Sequence, residues 1–158
     1  AAESAIAWCL EQHRVTFLRS YLSLDGRTMI CAFAAPDAEA VRETQRRGDL
    51  PFERAWTATV LGATGRHAAA PGLSTVVVER EFPEPMPMET IEGLVAGATR
   101  EGGCLALNGA ELLETKLARD RSRMLCVYQA PDAESVRRAN RELGAIVTSA
   151  WSATVHAP

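Results

Sequence analysis

The chain has 158 residues, of which 47% are hydrophobic and 23% are charged, and its formal net charge is −3. This hydrophobic content suffices for one ordinary core or two small ones, which excludes a disordered or fibrous protein. The slightly acidic balance provides no basic field for a nucleic acid. No apolar run approaches the roughly 20 residues of a membrane helix, and the first ten residues carry no basic segment typical of a secretion signal. We therefore expect a cytoplasmic protein.

The first half of the chain predicts a helix, a hairpin, a second helix and a strand, in that order. The dipeptide Asp25-Gly26 separates two apolar runs and is a strong hairpin signal. Pro36-Asp37 precedes the second helix, and Ala55–Val60 is typical of a strand. Residues 62–73 are small and flexible in composition and form a linker.

The second half predicts a more complete series of elements. Three consecutive valines within Ser74–Phe82 indicate a buried strand, and apolar residues at i, i+3, i+4 and i+7 after it predict a helix. The remaining elements are two β segments at about Glu111–Arg119 and Ser122–Gln129, a helix opening at Pro131, and a last strand at Ser149–Val155. The order is βαββαβ, the ferredoxin-like arrangement.

The two halves are copies of one another. At an offset of 95 residues, 29–60 align on 124–155 without a gap, and 15 of the 32 aligned residues are identical, where chance gives about two. We therefore predict a tandem duplication, with repeat 1 at 1–61, the linker at 62–73 and repeat 2 at 74–158. Repeat 1 lacks its initial strand. We expect either that the natural product is longer or that a neighbouring chain supplies this strand.

Each apolar sheet needs cover on the face opposite its helices, and each repeat is suited to cover the other. We predict an α+β fold in which two ferredoxin-like repeats pack sheet to sheet as a pseudo-dimeric α+β barrel. Strict alternation along the strands separates two faces. The helix-covered face takes the residues that match between the copies: Leu18, Ser20, Leu22, Met29, Cys31 and Phe33, equivalent to Leu113, Thr115, Leu117, Met124, Cys126 and Tyr128. The inner face takes those that differ: Phe17, Arg19, Tyr21, Ile30, Ala32 and Ala34, equivalent to Leu112, Glu114, Lys116, Leu125, Val127 and Gln129.

The diverged inner face carries the candidate catalytic groups. Arg19 is suited to bind an anionic or carbonyl oxygen, and Tyr21, Lys116 and either Glu114 or Glu79 are suited to transfer protons. The alternative is that these residues lie on a solvated rim, since charged side chains are mostly exposed. Glu79 would then belong to a surface ion pair.

Metal-ligating spacing is absent from the sequence. The four cysteines form no C-x-x-C pair, so we expect no disulfide and we expect Cys31 and Cys126 to pack as small apolar side chains. His13 and His156 are weak candidates for metal ligation or proton transfer. His67 lies in the linker, where we expect it to be solvated.

Ser20-Tyr21-Leu22, followed by Cys31–Glu43, resembles a family of small bacterial ferredoxin-like proteins known as nickel-binding proteins, and both repeats resemble that domain. The resemblance implies membership of the wider group of dimeric α+β barrels, whose cavities serve cofactor-free monooxygenases, isomerases and cyclases. It also implies a histidine shortly after Arg42-Glu43, where this chain has Thr44, and Ala139 in the second copy.

The favoured hypothesis is a small-molecule-binding α+β barrel that acts as a cofactor-independent biosynthetic enzyme, with isomerase- or cyclase-type chemistry between the sheets. It requires a small-molecule substrate and neither nucleic acid nor membrane, and homodimerisation stays open. The alternatives are a nickel-binding protein, for which nickel would be the cofactor, and a non-catalytic accessory domain.

Overall fold

The computed structural model describes residues 11, 12 and 14–158, with strands and helices in the predicted order. The predicted first helix lies outside the described residues except for Glu11 and Gln12, and so does His13. The strands are β1 Thr16–Ser23, β2 Met29–Ala34, β3 Ala58–Leu61, β4 Ser74–Glu81, β5 Glu111–Ala118, β6 Arg123–Ala130 and β7 Ser149–His156. The helices are α1 Ala38–Arg47, α2 Met88–Ala98, α3 Cys104–Leu107 and α4 Ala133–Leu143.

Local chemistry accounts for the ends of α1 and α4. Asp37 and Asp132 are N-caps whose carboxylates accept hydrogen bonds from the backbone N–H groups of Ala40 and Ser135, at 2.8 and 2.7 Å. Gly144 ends α4 with φ +69°, a conformation in which glycine carries no steric penalty. None of the helices in the described part of the chain has the length and apolar character needed to cross a membrane.

Hydrogen bonds join all seven strands into one antiparallel sheet with the order β2-β1-β7-β4-β6-β5-β3. The central part, β7-β4-β6-β5, comes from the second half of the chain. The β1–β2 hairpin extends it at one edge and β3 at the other. The sequence predicted two sheets packed face to face, whereas the strands of the first half are hydrogen-bonded to the edges of the second.

The sheet is strongly curled. Four inter-strand steps separate β1 from β5, which corresponds to about 19 Å across a flat sheet at about 4.8 Å per step. Nevertheless, the Lys116 Nζ on β5 lies 5.9 Å from the ring centroid of Tyr21 on β1. The two strands therefore face each other across a concave inner surface.

The two faces of the sheet carry separate apolar clusters. The outer cluster lies between the sheet and its helices and includes Val76, Val78, Ile91 and Val136, all 0% exposed. The inner cluster lines the concave surface and consists of Tyr21, Val77, Leu113, Leu125 and Val127, with partly buried neighbours that include Trp56 and Trp151. It combines side chains from both halves of the chain, as expected for an interior that the two halves share.

A β-bulge at the same place in both hairpins changes which residues face inward. The register shifts after Phe17 in β1 and after Leu112 in β5. Because an extra residue reverses the alternation beyond it, Phe17 shares the outer face with Phe33, with ring centroids 5.7 Å apart. Leu112 likewise belongs to the outer cluster and Leu113 to the inner one. The faces predicted for Phe17, Leu112 and Leu113 are therefore wrong.

Candidate functional site

Three of the predicted catalytic side chains meet on the concave surface. Lys116 Nζ donates a hydrogen bond of 2.8 Å to Glu114 Oε2, and the same ammonium group lies over the ring of Tyr21. The pair is largely removed from water, since the Glu114 side chain is 5% exposed and that of Lys116 14%. Tyr21 is fully buried. We call Tyr21, Glu114, Lys116 and the neighbouring His67 the inner site.

The bulge in β5 is what brings Glu114 and Lys116 to this surface together with Leu113. Beyond the bulge, Glu114 is paired with Val127 and Lys116 with Leu125, both members of the inner cluster. Directly paired residues share a face of the sheet, so both charged side chains point inward. Their burial overturns the alternative of a solvated rim for these two residues.

Tyr21 carries a buried hydroxyl with no hydrogen-bond partner. Burial and the nearby Glu114 carboxylate raise the pKa of Tyr21 to about 12, against the opposite effect of the Arg19 guanidinium. The phenol is thus a neutral donor at physiological pH. Buried polar groups are almost always paired, and the Arg19 guanidinium is the charged donor group that acts on this hydroxyl.

Arg19 lies at the edge of the inner site and is only half-buried. It precedes Tyr21 by two residues on β1, beyond the bulge, and its pairing with Ala32 places it on the inner face. Its positive charge acts on the Tyr21 hydroxyl. The predicted role of Arg19, binding an anionic oxygen, is consistent with this position.

His67 was expected to be solvated, and the structure places it against the inner site instead. Its Nδ1 lies 3.4 Å from Glu114 Oε2 without the geometry of a hydrogen bond, so this nitrogen is buried and has no partner. The linker is held there because the backbone N–H and the hydroxyl of Thr64 both donate to the carbonyl oxygen of Leu113, at 2.9 and 3.1 Å. Arg66 also forms an ion pair with Glu111. No local pattern in residues 62–73 signals contacts to a strand some fifty positions away.

Glu79 faces the same surface but belongs to a different group of contacts. Its Oε2 accepts hydrogen bonds from Ser149 Oγ at 2.7 Å and from Trp151 Nε1 at 3.1 Å. In the sheet register Leu125 is paired with both Glu79 and Lys116 and therefore lies between them. The structure does not bring Glu79 together with Glu114 and Lys116.

A second buried polar group, Arg80, has a burial that the sequence did not predict. Arg80 is 4% exposed on the outer face and donates to Ile146 O, Tyr128 Oη and Asn140 Oδ1 at 2.7, 2.9 and 2.7 Å. These three bonds join β4, β6, α4 and the segment after α4. Charged residues are rarely buried, and Arg80 stands between two glutamates at the polar end of β4, so its type and neighbours did not predict a core position.

The predicted metal ligands do not converge in the described residues. His156 is exposed at the end of β7, and within 11–12 and 14–158 no three His, Cys, Asp or Glu side chains are placed to hold one metal ion. His67 Nδ1 and Glu114 Oε2 lie 3.4 Å apart and adjoin the Lys116 ammonium, which repels a cation. Cys126 is buried as predicted, but Cys31 is exposed. These donors do not fit a nickel ion.

The curled antiparallel sheet, its layer of helices and its buried polar site define a small mixed α+β protein with a concave inner surface. Residues 1–57 and 77–152 match the model of the nickel responsive protein SCO4226-like family, and the chain belongs to this family. The resemblance seen in the sequence is thereby confirmed. The interval between the two matched segments contains the linker.

The comparisons with structures and curated proteins add little. A crystal structure from Lactobacillus acidophilus, of a protein provisionally named a monooxygenase, is similar over 98% of this chain and 83% of its own, with a TM-score of 0.43 and 8% sequence identity. No curated protein matches the chain.

Proposed function

We propose that the chain binds a small polar molecule at the inner site and acts on it by acid–base chemistry without a cofactor. Tyr21 would donate a hydrogen bond to an oxygen of the ligand, and Arg19 would stabilise negative charge on the same ligand. Glu114, held by Lys116, would accept a proton, and His67 would close the site from the linker side. This chemistry is of the isomerase or cyclase type.

The observation that carries the proposal is the unpaired state of Tyr21 Oη and His67 Nδ1. Both atoms are buried and neither makes a well-formed hydrogen bond, although the Arg19 guanidinium acts on the Tyr21 hydroxyl and Glu114 Oε2 lies 3.4 Å from His67 Nδ1. An unsatisfied buried polar group costs roughly 1–3 kcal/mol. Two such groups beside one buried ion pair are therefore expected where a ligand completes the hydrogen bonding.

The first experiment is native mass spectrometry of the protein purified from its own host, followed by calorimetric titration with any retained compound. We expect an organic molecule at one per chain. The variants Tyr21→Phe and Glu114→Gln should bind it about tenfold more weakly, as a single lost hydrogen bond predicts. Glu39→Gln is the control, because Glu39 lies on α1, away from the inner site, and its side chain is 61% exposed.

Two results would contradict the proposal. The first is equal affinity in the Glu114 and Glu39 variants, which would place the ligand elsewhere. The second is stoichiometric nickel with no organic molecule. That result would favour the second candidate function, a nickel-binding protein, which rests on the family membership. His13 and His156 would then be replaced first, and equilibrium dialysis against nickel would measure the loss.

A further inference from the structure

The two edges of the sheet are the counterparts of the two strands that enclose β4. Within repeat 2, β4 lies between β7 and β6 and is antiparallel to both. At the offset of 95 residues, β7 corresponds to β3 and β6 corresponds to β2. These two strands are the edges of the curled sheet. The position equivalent to that of β4 in the first half thus lies between β2 and β3, and in the described residues no strand occupies it.

The short length of β3 also indicates that a strand is absent beside it. The first part of β7, Ser149–Ala153, pairs with β4, and the last part pairs with β1. The counterpart of the last part is β3, Ala58–Leu61, which pairs with β5. The counterpart of the first part, residues 54–58, is not in a strand before Ala58. Residues 54–57, which would pair with a β4-like strand, lack β structure, whereas Ala58–Leu61, which pair with β5, form β3. The sequence does not explain the difference from β7, because Ala55-Trp56 and Ala150-Trp151 are identical.

The exposed side chains at this position agree with an absent strand. On β2, Met29 is 62% exposed, whereas its counterpart Met124 is 4% exposed. Cys31 is exposed, whereas Cys126 is paired with Val78 of β4 and is 2% exposed. In the second half these residue types are covered by β4 together with the helices of the outer cluster.

We propose that the groove between β2 and β3 binds one extended polypeptide segment with the residue pattern of β4, antiparallel to both strands and in the register that β4 has with β6. Unpaired backbone groups along the β2 edge would provide the hydrogen bonds. Alternate side chains of the segment would lie beside Met29, Cys31 and Phe33, as Arg80, Val78 and Val76 are paired with the equivalent residues Met124, Cys126 and Tyr128. The bound segment would convert the seven-stranded sheet into an eight-stranded closed barrel. The groove opens onto the same concave surface as the inner site, since Ile30 of β2 and Trp56 both pack against the inner cluster.

Cys31 provides a direct test of both occupancy and register. A synthetic peptide of residues 73–82 with Val78→Cys should place its thiol opposite Cys31, because Val78 is opposite Cys126 in the repeat. Paired residues of antiparallel strands lie about 4.5–5.5 Å apart at Cα, a distance that suits a disulfide. The matched control is the same peptide with Val77→Cys, whose thiol points to the other face. Peptide mapping by mass spectrometry identifies the cysteine that reacts.

We expect the Val78→Cys peptide to form one disulfide per chain at Cys31, about tenfold or more faster than the Val77→Cys peptide. An excess of the unmodified peptide should suppress the reaction, and Cys31→Ser should abolish it. A peptide with Val77→Pro should compete poorly, because proline removes a backbone donor. Equal rates for the two cysteine peptides, or a reaction that competitor does not slow, would overturn the proposal. A disulfide-linked dimer of the chain at Cys31 that peptide cannot prevent would instead identify a second copy as the occupant and refute it.

Discussion

Removal of the Tyr21 hydroxyl should stabilise the ligand-free protein, whereas the same change at Tyr128 should destabilise it. The two tyrosines are 0% and 2% exposed, so both substitutions to phenylalanine delete one buried oxygen and leave the ring in place. The Tyr21 hydroxyl has no partner, whereas Tyr128 Oη accepts a hydrogen bond of 2.9 Å from Arg80 Nη2. The sign of the change in stability therefore depends on that one difference.

The magnitudes follow from the cost of unsatisfied groups. Tyr21→Phe removes an unpaired buried hydroxyl, which should raise the free energy of unfolding by about 1 kcal/mol. Tyr128→Phe removes an acceptor from a charged buried donor and should lower it by about 2 kcal/mol, since hydrogen bonds to charged groups contribute about 1.5–3 kcal/mol. Arg80 keeps its bonds to Asn140 and Ile146, which limits the loss. For a chain of this size, each 1 kcal/mol corresponds to a change in Tm of about 2–4 °C.

The assay is urea unfolding at neutral pH on protein freed of any ligand, with the slope of the transition checked between variants. If Tyr21→Phe destabilises the protein as much as Tyr128→Phe does, the Tyr21 hydroxyl has a partner in solution. The argument for a free ligand contact at the inner site would then fail. Stabilisation together with loss of ligand binding would confirm that this hydroxyl is retained for function rather than for stability.

Two further predictions concern the same region. Lys116→Met should lower the free energy of unfolding by about 3 kcal/mol, because it leaves the buried Glu114 carboxylate uncompensated. The double variant with Glu114→Gln should lie within about 1 kcal/mol of the parent protein. A double-mutant cycle by urea unfolding measures this coupling, and additive losses of stability would contradict it. The chain has two tyrosines, and burial raises the pKa of Tyr21 to about 12 and also raises that of Tyr128. Tyrosinate absorbance should therefore be absent from the folded protein at pH 10–11. An unperturbed tyrosine, with a pKa of about 10, is largely ionised in that range. Both tyrosines have a higher pKa in the folded protein than in the unfolded chain. The stability that comes from keeping the two phenols protonated is therefore complete below about pH 10 and is lost as the pH rises above it. Tyrosinate absorbance that rises at pH 10 before the protein unfolds would refute the burial of these hydroxyls.

The elements of the fold could be predicted from local patterns, and the register could not. Asp25-Gly26 and the valine run of β4 have unambiguous local physics, so the hairpin and the strand lie where they were expected. The bulges follow Phe17 and Leu112, where no glycine or proline indicates an interruption. Their effect is to reverse the alternation, which is why Leu112 and Leu113 exchange faces relative to the prediction.

The residues of the candidate site that differ between the two halves of the chain could be predicted from the sequence. Tyr21, Glu114 and Lys116 differ in chemistry from their counterparts and do meet on the inner surface. His67 could not be found in this way, because the linker has no counterpart in the repeat and its contacts with Leu113 and Glu114 depend on the tertiary fold.

The ladders that join the edges of the sheet to its centre have a consequence for how the chain folds. Ser20 pairs with His156, and Val60 pairs with Lys116, so each ladder closes a long loop of polypeptide. In the described residues, the first half on its own retains only the β1–β2 hairpin, α1 and the unpaired β3, and an isolated two-stranded hairpin is marginally stable in water. Folding of the first half must therefore wait for the second, and such non-local pairing is slow. Although the sequence is duplicated, the two copies should unfold together in a single cooperative transition.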